Sequence, residues 1–168
     1  MLQQEEHVQL FTATILESKH LLKQDKHKQI ILDSLKFLVA QKRVKVYGFV
    51  IMINHIHIIQ SEHKRENVQR DFLKYTAQQI KSDLEKHHPQ VLPSFLVNVK
   101  DRKYQMWERN PLSIHLWSRK VLWQKLLYMH QNLVRAGVCQ WPEQYQWSSA
   151  MFYQSGIDNF GWLTHVMD

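Results

Sequence analysis

The alternation of apolar and polar residues predicts the secondary structure of the first third of the chain. Residues 7–16 are rich in Val, Thr, Phe and Ile, which is typical of a strand. Apolar residues at helical spacing predict a helix over residues 25–41, with Asp25 able to cap its start. Residues 44–52 are almost continuously apolar, which indicates a central strand buried on both faces. Polar Asn54 then predicts a bend or tight hairpin, after which a second strand returns.

The remaining chain alternates between longer helices and shorter strands. A helix over about residues 66–86 has a buried stripe at four-residue steps, formed by Val68, Phe72, Thr76, Ile80 and Leu84. Residues 103–108 and 112–117 predict two strands joined by a turn at Asn110-Pro111. Ser118 caps a further predicted helix over about residues 119–136, which ends at Gly137.

This order of elements predicts the fold class. Strand, helix, two strands, helix, one or two strands and helix is typical of an α+β fold with a mainly antiparallel sheet and helices packed on one side of it. A split β-α-β arrangement of the ferredoxin-like type accommodates the order. Glycine and proline are scarce, at four each, so we expect one domain over residues 1–168, with a short C-terminal tail from about residue 141.

Charge and cysteine content narrow the possible surroundings and partners. The chain has 22 Lys and Arg against 15 Asp and Glu, a net charge of +7, which favours a polyanionic partner and nucleic acid in particular. Basic positions lie around the exposed part of the predicted 66–86 helix, at Arg65, Arg70, Lys74 and Lys81. The lone Cys139 excludes an intramolecular disulfide and fits a reducing compartment. Without a membrane-length apolar run or a signal-like N-terminus, we expect a cytoplasmic protein that does not use a membrane.

The first chemical candidate is a pair of histidines within the apolar run. On a strand, His55 and His57 project from the same face, about 6.5 Å apart along the chain. Ile56 and Ile58 then point the opposite way, into a core. Two imidazoles on one rigid face can converge on a single divalent metal. The alternative is two hydrogen-bonded histidines with no chemical role.

The second candidate is Tyr128, which lies off the apolar stripe of the predicted 119–136 helix. That stripe consists of Leu122, Leu126, Leu127, Met129, Leu133 and Val134. The helical neighbours of Tyr128 are instead Gln124, Lys125, Gln131 and Asn132. Tyrosine has an ordinary pKa near 10, so as a nucleophile it needs a metal-polarised phosphate and nearby positive charge. Asn132, on the same helix face, can offer an amide oxygen as a third ligand; the alternative is an ordinary surface tyrosine.

Three stretches together resemble one known family. Residues 52–59 resemble the histidine–hydrophobe–histidine motif of HUH single-strand endonucleases. Residues 128–138 resemble the tyrosine-helix motif of IS200-like transposases with one catalytic tyrosine, and residues 142–150 resemble the segment that follows it in the REP-associated branch. The resemblance covers most of the chain from about Val44 onward. The chain departs from the family at Ile53 and Leu133, where proline is common.

The resemblance implies a ferredoxin-like fold that acts on single-stranded DNA, often beside a hairpin. Tyr128 would attack a DNA phosphate, giving a 5′-phosphotyrosine intermediate and a free 3′-OH, and a second 3′-OH would reverse the reaction. His55 and His57 would hold Mg²⁺ or Mn²⁺, with Asn132 at the position that can complete the site. Family members act as monomers or as homodimers that exchange the tyrosine helix. His130 and Gln131 are additional candidates for an auxiliary role.

Other protein classes account for these features less well, with one exception. A histidine-triad nucleotide hydrolase requires a third histidine where the chain has Ile59, and a structural zinc module requires cysteines and a second histidine pair that the chain lacks. A relaxase or replication initiator shares the metal chemistry but is usually larger. The exception is a non-catalytic DNA- or RNA-binding protein on the same scaffold. Its basic helix faces and tryptophans would bind strands by charge and stacking.

Overall fold

The computed structural model describes residues 7–62 and 67–168. Arg65 and Glu66, near the predicted start of the second long helix, lie outside the described residues, as do residues 1–6. The elements, in chain order, are β1 (His7–Thr14), α1 (Asp25–Ala40), β2 (Val44–Ile51), β3 (His55–Glu62), α2 (Val68–His87), β4 (Leu96–Val99), β5 (Arg102–Tyr104), β6 (Leu112–His115), α3 (Arg119–Arg135) and α4 (Ala150–Ser155).

Four of the strands form one antiparallel sheet in the order β2-β3-β1-β6. With α1 between β1 and β2, and α2 between β3 and β6, this is the ferredoxin-like arrangement that the order of elements predicts. The α+β fold class is therefore confirmed. Among the described residues, no helix is both long and apolar enough to cross a membrane.

Helices cover both faces of the sheet, so the expectation of helices on one side is wrong. Phe11, Ile56 and Ile58 face the core that α1 and α2 complete. Leu10 and Ile59, one strand position away, face a second core with the buried side of α3. The nearly continuous apolar character of β2 follows from this, because both of its faces are covered.

The strands around Asn110-Pro111 are paired differently from the prediction. The two strands do not form a hairpin with each other: β6 pairs with β1, whereas β5 pairs with β4 in a separate two-stranded sheet. Trp107 lies between β5 and β6 and makes an isolated bridge to Ile15 at the end of β1. Its buried indole donates a hydrogen bond to the Thr76 hydroxyl of α2, 3.1 Å away. This anchor directs the segment toward β1 and α2.

Residues after 141 extend along the outer edge of β2. The Ile51 N–H donates to the Trp147 carbonyl at 2.9 Å, and the Thr164 N–H donates to the Val46 carbonyl at 2.9 Å. This C-terminal segment thus occupies backbone groups at the edge of β2 that would otherwise be free to pair with another chain.

Gly48 determines how closely α3 approaches the sheet. A Cβ at this position would lie 2.3 Å from Leu126 Cδ1 and 3.3 Å from Met129 Cε. Both helix residues are buried, so neither side chain has free space into which to move. A glycine in β2 therefore allows α3 to rest directly on the strand.

We expect Gly48→Ala to lower the free energy of unfolding by about 1–3 kcal/mol, because the added methyl overpacks the contact with Leu126. Leu126→Ala alone should cost about 2–5 kcal/mol by leaving a cavity. The double variant should lose less free energy of unfolding than the two single variants together, since the added methyl at residue 48 partly fills the cavity left by Leu126→Ala. Urea unfolding of the four proteins tests this coupling, and strictly additive losses would contradict the packing described.

Candidate metal and nucleophile site

His55 and His57 lie together on the face of the sheet that α3 covers. They occupy alternate positions of β3, and their ring centroids are 4.9 Å apart. Ile56 and Ile58, between and after them, are buried in the opposite core, as the alternation predicts. Ile59, two positions beyond His57, packs against α3. The histidine pair therefore lies next to the apolar contact between α3 and the sheet, at the end where that contact stops.

Each imidazole is oriented through its Nδ1 atom. His57 Nδ1 is 2.8 Å from the Thr12 hydroxyl, which lies directly across the sheet on β1. His55 Nδ1 is 2.6 Å from Asn54 Oδ1. Both contacts leave Nε2 as the atom that can bind a ligand, and they fix the ring orientation as outer partners of metal-bound histidines do.

Burial keeps both histidines in the form that a metal requires. Desolvation lowers the pKa of His55 below its ordinary value. Desolvation and, secondarily, the charge of His55 lower the pKa of His57 to about 4. Both rings are therefore neutral near pH 7, with lone pairs available for coordination.

Tyr128 lies on the exposed side of α3, off the buried stripe, as the sequence predicts. Its side chain is 55% exposed, whereas Leu126 and Met129 face the sheet. The Arg135 guanidinium stacks on the ring with Cζ 4.3 Å from the centroid, and it also donates to the Tyr128 carbonyl at 3.1 Å. Lys125 Nζ lies 5.9 Å from the same centroid. Two cations thus face the phenol.

Asn132 follows Tyr128 by one helical turn and is partly buried. Its side-chain amide makes no hydrogen bond to any residue in the ranges 7–62 and 67–168, so its oxygen is available. Across the same ranges, no group of three or more His, Cys, Asp or Glu side chains could hold a metal. A metal at His55 and His57 would therefore take its further ligands from an amide, water or substrate oxygens.

The structure joins the candidates into two pairs. His55 and His57 form one pair, and Tyr128 and Asn132 form the other on α3, which packs on the histidine-bearing face. No hydrogen bond or ring contact connects the two pairs within the described part of the chain. Leu127, assigned to the apolar stripe from sequence, is instead exposed.

Sequence reasoning missed Thr12 and Arg135. Thr12 is recognisable only after β1 and β3 are placed in register, because it lies 45 residues from His57 in the chain. Arg135 gave a weak signal: it lies seven residues, or two helical turns, from Tyr128 and so shares its face.

His130 is buried on the other flank of α3 and supports the site from within the core. Its Nε2 is 2.8 Å from the Ser149 hydroxyl, which accepts a 2.9 Å hydrogen bond from the Phe49 N–H of β2. Burial lowers the pKa of His130 to about 4. This network connects α3, β2 and the start of α4, and it gives His130 a structural role away from the exposed phenol. Gln131 is exposed.

A solved structure with the same architecture is that of a REP-associated tyrosine transposase bound to a REP hairpin. It superposes with a TM-score of 0.63 at 14% identity, covering 96% of this chain and 88% of the other. The two chains share a fold. No family model and no curated protein sequence matches this chain.

We expect Ser149→Ala to lower the free energy of unfolding by about 1–3 kcal/mol. The change removes the partner of two buried groups, His130 Nε2 and the Phe49 N–H. Ser94→Ala is the matched control, because the Ser94 side chain is exposed and should change stability by less than about 0.5 kcal/mol. Urea unfolding measures both, and equal stability of the two variants would show that the network contributes nothing.

Proposed function

We propose that this protein is a metal-dependent single-stranded DNA endonuclease and strand transferase of the transposase type. The observation that carries the proposal is the pair of neutral, oriented imidazoles on the sheet face that α3 covers, with an exposed tyrosine on that helix. The fold shared with a hairpin-bound transposase and the net charge of +7 support DNA as the substrate. We further propose that the substrate carries a hairpin beside the cleavage point.

The residues present fit a divalent cation. His55 and His57 would bind it through Nε2, and Asn132 would complete the protein ligands with its amide oxygen. When bound, Mg²⁺ or Mn²⁺ would supply Lewis-acid polarisation of the scissile phosphate. Imidazole nitrogen is a softer donor than carboxylate oxygen, which favours Mn²⁺ of the two.

Tyr128 would supply the nucleophile. Its phenolic oxygen forms a bond to phosphorus while the bond to the 3′ oxygen of the preceding nucleotide breaks. The proton of the phenol passes to solvent, and the departing 3′ oxygen takes up a proton from solvent. The products are a 5′-phosphotyrosine and a free 3′-OH, so the phosphoester bond is conserved and no ATP is required. A 3′-OH of another strand then reverses the step. Arg135 and Lys125 face the ring, where they stabilise negative charge on the attacking oxygen.

The packing of α3 is compatible with two active units. In the structure, α3 packs on the sheet of its own chain through Leu126, Met129 and Leu133. The active unit is therefore either a monomer with this packing or a dimer that exchanges α3 and places the same contacts between subunits.

We expect a covalent protein–DNA adduct when the protein is incubated with end-labelled, hairpin-bearing single-stranded DNA and Mn²⁺. Tyr128→Phe should abolish the adduct, because phenylalanine has no oxygen to attack phosphorus. Tyr75→Phe is the control, since Tyr75 is equally exposed but lies on α2, and it should form the adduct at the rate of the unchanged protein. Denaturing electrophoresis measures the adduct.

Binding of the DNA without an adduct in Mn²⁺ or Mg²⁺ would refute the proposal. That outcome would favour the alternative, a non-catalytic DNA- or RNA-binding protein on the same scaffold.

Thr12→Val should raise the Mn²⁺ concentration needed for half-maximal cleavage by about 10–100-fold, because His57 loses the group that orients its ring. Valine keeps the shape and β propensity of threonine, so the strand should persist. Cleavage rates over a Mn²⁺ titration give the value.

His57→Ala sets the limit of this series: it should abolish cleavage at every Mn²⁺ concentration while leaving DNA affinity largely intact. If His57→Ala still cleaves, the metal assignment is wrong. An unchanged titration in Thr12→Val would exclude the orienting role of the hydroxyl.

A further inference from the structure

A groove lined with basic residues runs between the exposed face of α2 and the segment from Asp101 to Arg109. We refer to it as the α2 groove. Its volume is about 620 Å³. Its basic residues are Arg70, Lys74, Lys81, Arg102 and Arg109, and its acidic residues are Asp101 and Glu108. The three basic residues on α2 are spaced four and seven residues apart, so they form one stripe along the helix.

The two acidic side chains are occupied by local partners. Asp101 forms an ion pair with Arg102 at 3.2 Å, and the hydrogen bond from Arg102 holds the pKa of Asp101 below its ordinary value. The Glu108 carboxylate accepts the N–H of Glu17. By contrast, Lys74 and Arg109 make no side-chain hydrogen bond or ion pair with any residue that the structure describes, although the charge of Arg109 also helps to lower the pKa of Asp101. The groove therefore has an excess of positive charge with two cations available.

The walls of the α2 groove are rigidly attached to the fold. Beneath it, the buried indole of Trp107 is hydrogen-bonded to Thr76 of α2. Near one end, Lys81 Nζ lies 5.4 Å from the centroid of the Tyr104 ring, and both residues line the groove. Lys81 is thus presented on a fixed element, and Lys74 lies on the same helix.

The other end of the α2 groove reaches the edge of the sheet near His55, although the histidines lie on the opposite face of the sheet. The Glu108 N–H donates to the Thr14 carbonyl at 2.7 Å, and Thr14 is the register partner of His55. Two strand spacings, about 10 Å, therefore separate the backbone of Glu108 from that of His55. Arg109 follows directly and is exposed at this edge.

We propose that the α2 groove binds the phosphodiester backbone of the single-stranded DNA that leads into the site formed by His55, His57 and Tyr128. The inference rests on the proposed function and adds the path of the strand. A charged groove that follows the backbone without reading bases is the usual form of single-strand binding sites. The strand would pass along α2, cross the edge of the sheet at Arg109 and reach the face that carries the histidines.

The test compares two double variants that each remove two positive charges. Lys74→Gln with Arg109→Gln changes the α2 groove, whereas Lys36→Gln with Lys86→Gln changes exposed lysines outside it. Fluorescence anisotropy measures the affinity of each for three labelled DNAs: a hairpin with a single-stranded flank, the flank alone and the blunt hairpin stem alone. Thermal unfolding confirms that both variants remain folded.

We expect the groove variant to bind the flank and the flanked hairpin at least about tenfold more weakly, because two charge-assisted phosphate contacts are lost. For the groove variant, the slope of log affinity against log salt concentration should be smaller in magnitude by about 1.4, which is the value for the loss of two phosphate contacts to a single strand. The control variant should remain within about twofold of the unchanged protein, since its charges lie outside the path.

Three outcomes would overturn the inference: equal losses in the two variants, no loss in the groove variant, or a loss confined to the blunt stem. The last would assign the groove to duplex DNA. Anisotropy does not depend on Tyr128, so the results separate the two proposals. If the unchanged protein forms the adduct and the groove variant binds DNA normally, only the groove proposal is refuted. If the groove variant binds more weakly but no adduct forms, only the proposed nuclease activity is refuted. If the protein binds no DNA, both proposals are refuted.

Discussion

The contact of α3 with β2 at Gly48 determines the geometry of the candidate site. Because glycine has no side chain, Leu126 and Met129 reach the strand itself, and α3 lies as close to the sheet as the backbone permits. The buried network of His130, Ser149 and Phe49 then holds the helix in one rotational setting. Because the buried side of α3 is fixed in this way, the 3.6-residue period of the helix places Tyr128 on its exposed side. The exposure of the candidate nucleophile is thus a consequence of packing on the opposite side of its helix.

The same period-two alternation serves two purposes along β3. Ile56 and Ile58 complete the core under α1 and α2, while His55, His57 and Ile59 face the other way. Ile59 supports α3, and the histidines lie just beyond that contact, paired with Thr12 and Thr14 of β1. A one-residue shift in register would turn the histidines into the core and Ile56 and Ile58 out of it. Because removing these isoleucines from the core costs much free energy, the register and with it the position of the imidazoles are fixed.

Local patterns were sufficient to predict β1, β2, β3 and the three long helices, but not α4, the short span of β5 or the long-range pairing of the strands. The shared face of His55 and His57 and the exposed position of Tyr128 follow from strand and helix periods, which a short stretch of sequence contains. The face of the sheet that α3 covers depends on Gly48 and Leu126, which are 78 residues apart, and no local pattern encodes that contact. Likewise, β6 pairs with β1 because the Trp107 indole is anchored on α2, whereas the sequence shows only two strand-like runs around a turn. Thr12 could be identified as a partner of His57 only from the register.

The irregular edge of the sheet has a physical explanation that connects these features. β6 pairs with residues 9–12 of β1 and stops, and the ladder resumes where the Glu108 N–H meets the Thr14 carbonyl. Between these points the chain leaves the edge: Asn110 has φ of +57°, and Pro111 has no N–H to donate to β1. The interruption therefore faces the part of β1 that is paired with His57 and His55. A regular edge strand would carry ladder hydrogen bonds there, whereas this bulge projects the exposed Arg109 outward. The left-handed backbone of Asn110 costs free energy locally. The anchored Trp107 on one side and the paired β6 on the other offset that cost. The edge of the sheet near the histidines therefore stays charged and free of ladder hydrogen bonds.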